Sequence, residues 1–147
     1  MRFALLALGL SAFGLASLGE HPACAAATPT IARGDFDRDG LRDTARVVLD
    51  ADGHYRVVVL PGAKRRPPVV VYDFGRFRGD YFVARGRPGH YETACHKGYG
   101  PDARDDRPCA HAYVVLTGDV LSFGVAESSE AVALWTGRSY EVVWISD

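Results

Sequence analysis

From residue 44 to its C-terminus the chain alternates short runs of β-branched and aromatic residues with turn residues, at intervals of about eight to twelve positions. That rhythm constrains the fold more than any other feature. No stretch repeats its apolar residues at the three-and-four spacing that would bury one face of a helix. The runs are 44–50, 54–60, 69–74, 81–85 and 90–93, then 111–117, 120–126, 131–136 and 139–145. Asp52-Gly53, Gly118-Asp119 and Gly137-Arg138 stand where tight hairpins belong, because glycine and aspartate accept the positive φ that such turns require. The expected fold is all-β: a compact antiparallel meander of about eight or nine strands. It can be arranged as two sheets, as a barrel-like domain or as a fragment of a propeller.

Upstream of the first run lies Gly34-Asp35-Phe36-Asp37-Arg38-Asp39-Gly40-Leu41-Arg42-Asp43. Four carboxylates at this spacing suit Ca²⁺, a hard cation that takes six to eight oxygens at about 2.3–2.6 Å. Asp35, Asp37, Asp39 and Asp43 are the expected side-chain ligands. Gly40 permits the sharp turn, and the backbone carbonyl of Leu41 can supply a neutral ligand. An EF-hand is excluded: its loop ends on a bidentate glutamate at position twelve, and the twelfth residue from Asp35 is Arg46.

A D-x-D-x-D-G-x-x-D loop running into a strand resembles the calcium loop of FG-GAP and VCBS repeats, the β-propeller units of integrin α-chains and of many secreted bacterial proteins. The resemblance covers residues 34–60 in a single copy. It implies one bound Ca²⁺ in a β-repeat. Blades have four strands each, so nine strands make about two blades, too few to close a propeller.

The first 27 residues read as a secretory signal: Arg2, an apolar run over 3–18, then small residues ending at Ala25-Ala26-Ala27. The expected organisation is a signal peptide over 1–27 and one calcium-binding β domain over 28–147, in the periplasm or outside the cell. Acylation at Cys24 is the lesser alternative, since His21-Pro22-Ala23 is a poor lipobox. No later run is long enough for a membrane-spanning helix. Seventeen basic residues face eighteen acidic ones, which indicates neither nucleic acid nor an anionic membrane as partner.

Removal of the signal leaves Cys95 and Cys109. A pair in an oxidising compartment is expected to form a disulfide, closing residues 96–108 and contributing roughly 3 kcal/mol through loop entropy. Zinc held by Cys95, His96, Cys109 and His111 is the weaker reading, because the spacing matches no common finger or ribbon.

Catalytic signatures are wanting: the chain has no Gly-x-Ser-x-Gly elbow, no His-Glu-x-x-His and no phosphate-cradling glycine loop. Asp80 and Glu92 form at most a generic acid pair. Lys64-Arg65-Arg66 reads as a solvated turn between prolines. The expected function is therefore non-enzymatic: a calcium-stabilised secreted domain that binds a protein partner. Tyr99, Arg104 and Arg107 in the cysteine-closed loop are the candidate contacts. In size and compartment such a domain is similar to periplasmic inhibitors and immunity proteins directed at cell-wall hydrolases such as lysozyme. The alternatives are a structural or adhesive secreted module and, third, a secreted hydrolase.

Overall fold

The computed structural model describes residues 30–100, 103 and 108–146. The signal segment expected over residues 1–27, with Cys24, lies outside the described residues, as do Arg104 and Arg107. In chain order the strands are β1 (Ile31–Gly34), β2 (Asp43–Leu49), β3 (Tyr55–Leu60), β4 (Val69–Asp73), β5 (Tyr81–Arg85), β6 (Gly89–Glu92), β7 (Tyr113–Leu116), β8 (Leu121–Val125), β9 (Ser129–Trp135) and β10 (Tyr140–Ser146). All pair antiparallel. The fold is all-β, as the turn spacing requires.

Strands β1-β2-β3-β4 form one sheet in sequence order, and β10-β9-β8-β5 form the second. Strands β6 and β7 make a separate two-stranded ribbon. At the edges β1 runs beside β5 and β4 beside β10, yet the sheets do not close into a barrel. The strand missing from the sequence reading is β1. Its four residues, Ile-Ala-Arg-Gly, carry little β-propensity of their own and are held by pairing with β2.

The period-two pattern explains the packing. In β3, Val57 and Val59 point inward and are fully buried while their neighbours are half-buried. Between the sheets they meet Ala45, Val83, Leu121, Phe123, Ala131 and Trp144. Burying each large apolar side chain there is worth about 1.5–3 kcal/mol. Phe74 stacks on Tyr81 with ring centroids 4.2 Å apart. A second, smaller core lies on the opposite face of the second sheet, where Val132, Val143 and Ile145 are covered by Val114 and Leu116 of the ribbon and by Val120. Strand β8 is accordingly buried on both faces along most of its length.

This layering corrects one expectation. Gly118-Asp119 does not close a hairpin: β7 pairs with β6, whereas β8 pairs with β5 and β9. Leu116 and Val120 bury in the outer core and Leu121 and Phe123 in the inner one, so the turn carries the chain from ribbon to sheet.

Cys95 and Cys109 are joined, with Cα atoms 5.8 Å apart, and this excludes the zinc reading of those thiols. Thr93 extends the ribbon toward the bridge, its N–H donating to the Ala112 carbonyl and its hydroxyl to that of His111. The Ala94 N–H donates to the Trp144 carbonyl and Lys97 Nζ to that of Ile145, seating the segment on β10. Among the described residues, no helix is long and apolar enough to cross a membrane.

Candidate metal centre

Gly34 pairs with Asp43, so residues 35–42 are the connection of the β1-β2 hairpin. Two buried side chains fix its base. Phe36 inserts into the inter-sheet core at 2% exposure. Asp43 is equally buried, and its two oxygens are taken by backbone N–H groups: Oδ2 accepts from Phe36 at 2.8 Å and Asp37 at 3.3 Å, and Oδ1 accepts from Gly62 at 2.8 Å. A buried carboxylate is tolerable when charge-assisted bonds replace water. Asp43 thereby fastens the loop to the segment that follows β3.

Above this base the chain coils around its own carboxylates. Asp35 Oδ1 accepts from the Asp39 N–H and Oδ2 from the Gly40 N–H, both at 3.0 Å. Asp37 Oδ1 accepts from the Asp39 N–H at 3.2 Å, and Asp39 Oδ1 from the Leu41 N–H at 2.8 Å. Arg38 and Gly40 adopt left-handed φ values of 58° and 85°, the second being why glycine stands there. Asp35, Asp37 and Asp39 each present an oxygen within 4.8 Å of the other two. Oxygens bound to one Ca²⁺ at 2.3–2.6 Å lie at most about 5 Å apart, so these three fit a common ion.

The electrostatics are those of crowded anions partly answered by one cation. Arg66 Nη1 lies 2.6 Å from Asp37 Oδ2 and 3.8 Å from Asp39 Oδ2. Burial, and next the charge of Asp43, push the Asp37 carboxyl above its ordinary range; the Asp39 N–H and Arg66 pull the other way. Nearby, burial and then the charges of Asp43, Asp37, Asp35 and Asp39 push the Tyr140 phenol upward. An opening of about 280 Å³ reaches Asp37 and Arg66 between Pro67, Trp135 and Tyr140. On the other side the Asp35 N–H donates to Asp119 Oδ2 at 3.0 Å, and Asp119 Oδ1 pairs with Arg85 at 3.2 Å.

Of the residues read from sequence as ligands, Asp35, Asp37 and Asp39 converge. Leu41 follows in the same turn with its side chain exposed, and Asp43 sits beneath them as the fastening. Tyr99 is 37% exposed beside the disulfide, with Lys97 Nζ 5.8 Å from its ring centroid. Glu92 is exposed on the ribbon, 3.8 Å from His96. Lys64-Arg65-Arg66 is exposed, as expected of a solvated turn, but the contact of Arg66 with an acid 29 residues earlier in the chain was missed. No family model matches the chain, and no curated protein or solved structure matches it.

Proposed function

We propose that the protein is a calcium-stabilised, non-enzymatic binding domain of an extracytoplasmic compartment. The convergence of Asp35, Asp37 and Asp39 in the β1-β2 loop supports this reading above all. Those carboxylates hold the ion, with the Leu41 carbonyl as a further oxygen donor and Asp43 fastening the loop beneath them. Bound Ca²⁺ supplies charge neutralisation, which removes the repulsion among the aspartates and tightens the hairpin against the inter-sheet core. The disulfide accords with an oxidising compartment.

Partner contact is assigned to the disulfide-closed loop, through Tyr99, Arg104 and Arg107. The covalent staple and the two hydrogen bonds to β10 lower the entropy lost when such a loop is ordered on binding. The partner class proposed is a cell-wall hydrolase. Lysozyme is the probe: the calcium-loaded protein slows lysozyme-driven lysis of cell walls, and the triple variant Tyr99→Ala, Arg104→Ala, Arg107→Ala does not, while melting as the wild type does. Lysis at full rate in the presence of excess wild-type protein overturns the inhibitor reading.

A further inference from the structure

The outer face of the second sheet is only partly covered by the ribbon, and the uncovered part is a cleft of about 500 Å³. Its floor breaks the apolar pattern of that face. Ser122 is 2% exposed on β8, and its hydroxyl donates to Glu130 Oε1 on β9 at 2.5 Å. Glu130 stands directly opposite Gly124, where the β8 and β9 backbones approach closely. Among the described residues no cation pairs with Glu130. Glu130 is partly buried there with the Ser122 hydroxyl as its partner, and its remaining acceptor positions can take a cationic or N–H-donating occupant.

The opposite end of the cleft carries the complementary charge. Arg85 and Arg87 line it, and Arg85 is already engaged by Asp119. Among the described residues no carboxylate pairs with Arg87. The Tyr91 hydroxyl donates to the Arg87 carbonyl at 3.0 Å, tying the β5-β6 connection to the ribbon, while the Arg87 side chain is exposed. Between the two charged ends the walls are apolar, formed by Phe82, Leu116 and Ile145 with the Tyr91 ring. A recess of this volume with apolar walls and a few convergent polar groups has the character of a small-molecule site.

We infer that this cleft binds a zwitterion, an α-amino acid or dipeptide with apolar side chains, its ammonium on Glu130 and its carboxylate on Arg87. The site uses none of the loop aspartates and stands independently of calcium. Glu130 accepts the ammonium while keeping the Ser122 hydroxyl bond, since a carboxylate has several acceptor positions. Arg87 receives the carboxylate through paired N–H donors.

The test is a titration of the folded protein with the dipeptide Leu-Leu and with leucine, followed by amide chemical shifts. Both probes are expected to move Gly86, Tyr91, Ser122 and Glu130, and the tighter of the two identifies the ligand as peptide or free amino acid. N-acetyl-Leu-Leu and Leu-Leu amide, each lacking one charge, are expected to bind about tenfold more weakly or worse. Glu130→Gln retains an oxygen for Ser122 and therefore the fold, yet should weaken Leu-Leu by a similar factor; Arg87→Gln should do the same. No shift with either zwitterion at millimolar concentration overturns the inference. So does equal binding of the capped probes, or wild-type affinity in both variants.

Discussion

Replacing Asp43 by alanine separates what the loop owes to its own hydrogen bonds from what it owes to metal. The substitution removes the acceptor for three backbone N–H groups, those of Phe36, Asp37 and Gly62, at a position 1% exposed. A buried donor left without a partner costs about 1–3 kcal/mol, and the 3.3 Å bond from Asp37 counts for least. Water entering the space left by the side chain offsets part of the loss, so a destabilisation of about 3–5 kcal/mol is expected. Against a total of about 5–15 kcal/mol this is a large fraction, equivalent to a fall in melting temperature of roughly 10–20 °C. Urea unfolding followed by tryptophan fluorescence, with a calcium chelator present in every sample, measures it. Asp39→Ala serves as the comparison: its carboxylate bonds one N–H within an exposed turn, so without calcium it should cost less than about 1 kcal/mol. If Asp43→Ala also costs less than that, the carboxylate does not fasten the loop and the reasoning fails.

Arg66→Gln removes the cation that lies 2.6 Å from Asp37, and calcium should then bind about tenfold more tightly by calorimetric titration; unchanged or weaker affinity would show that Arg66 does not compete for the site. Asp73 accepts from Arg56 at 2.9 Å, from His54 at 3.0 Å and from the Gly75 N–H at 2.7 Å, in that order holding its carboxyl well below the usual range. A depressed carboxyl stabilises the fold above its unfolded pKa, and that contribution is lost as pH falls below about 4 toward the lower folded value. Denaturation curves across acid pH should therefore show a smaller loss of stability for Asp73→Asn than for the wild type; parallel curves would refute the linkage. A Cβ at Gly124 would lie 1.9 Å from the Ser129 carbonyl oxygen, so Gly124→Ala should lower the melting temperature markedly, and a neutral substitution would contradict the close approach of β8 and β9.

What could be read from sequence was what is local. The convergence of Asp35, Asp37 and Asp39 was legible because the three lie within five consecutive residues, and the strands because β-branched runs alternate with glycine and aspartate turns. Strand β1 was not legible, since Ile31–Gly34 is ordered by its partner β2 rather than by its own residues. Gly118-Asp119 looked like a hairpin because the dipeptide favours a tight reversal wherever it stands. Whether the strands on either side then pair is decided by which core Leu116, Val120 and Leu121 enter. The reach of Arg66 to Asp37 and the Ser122-Glu130 pair were invisible for the same reason, as both depend on the register and layering of distant segments. The Cys95-Cys109 bridge was accessible because only two cysteines follow the expected signal segment.

The central claim is that Asp35, Asp37 and Asp39 hold Ca²⁺ on the folded domain. Calorimetric titration of calcium into chelator-treated, dialysed protein tests it most directly, with Asp39→Ala titrated alongside. The wild type should show a single saturable site and a melting temperature that rises with calcium, about 2.7 kcal/mol of added stability being reached at a hundredfold excess over the dissociation constant. Both effects should vanish in Asp39→Ala. A flat titration and an unchanged melting curve in the wild type, or calcium binding that survives in Asp39→Ala, would contradict it.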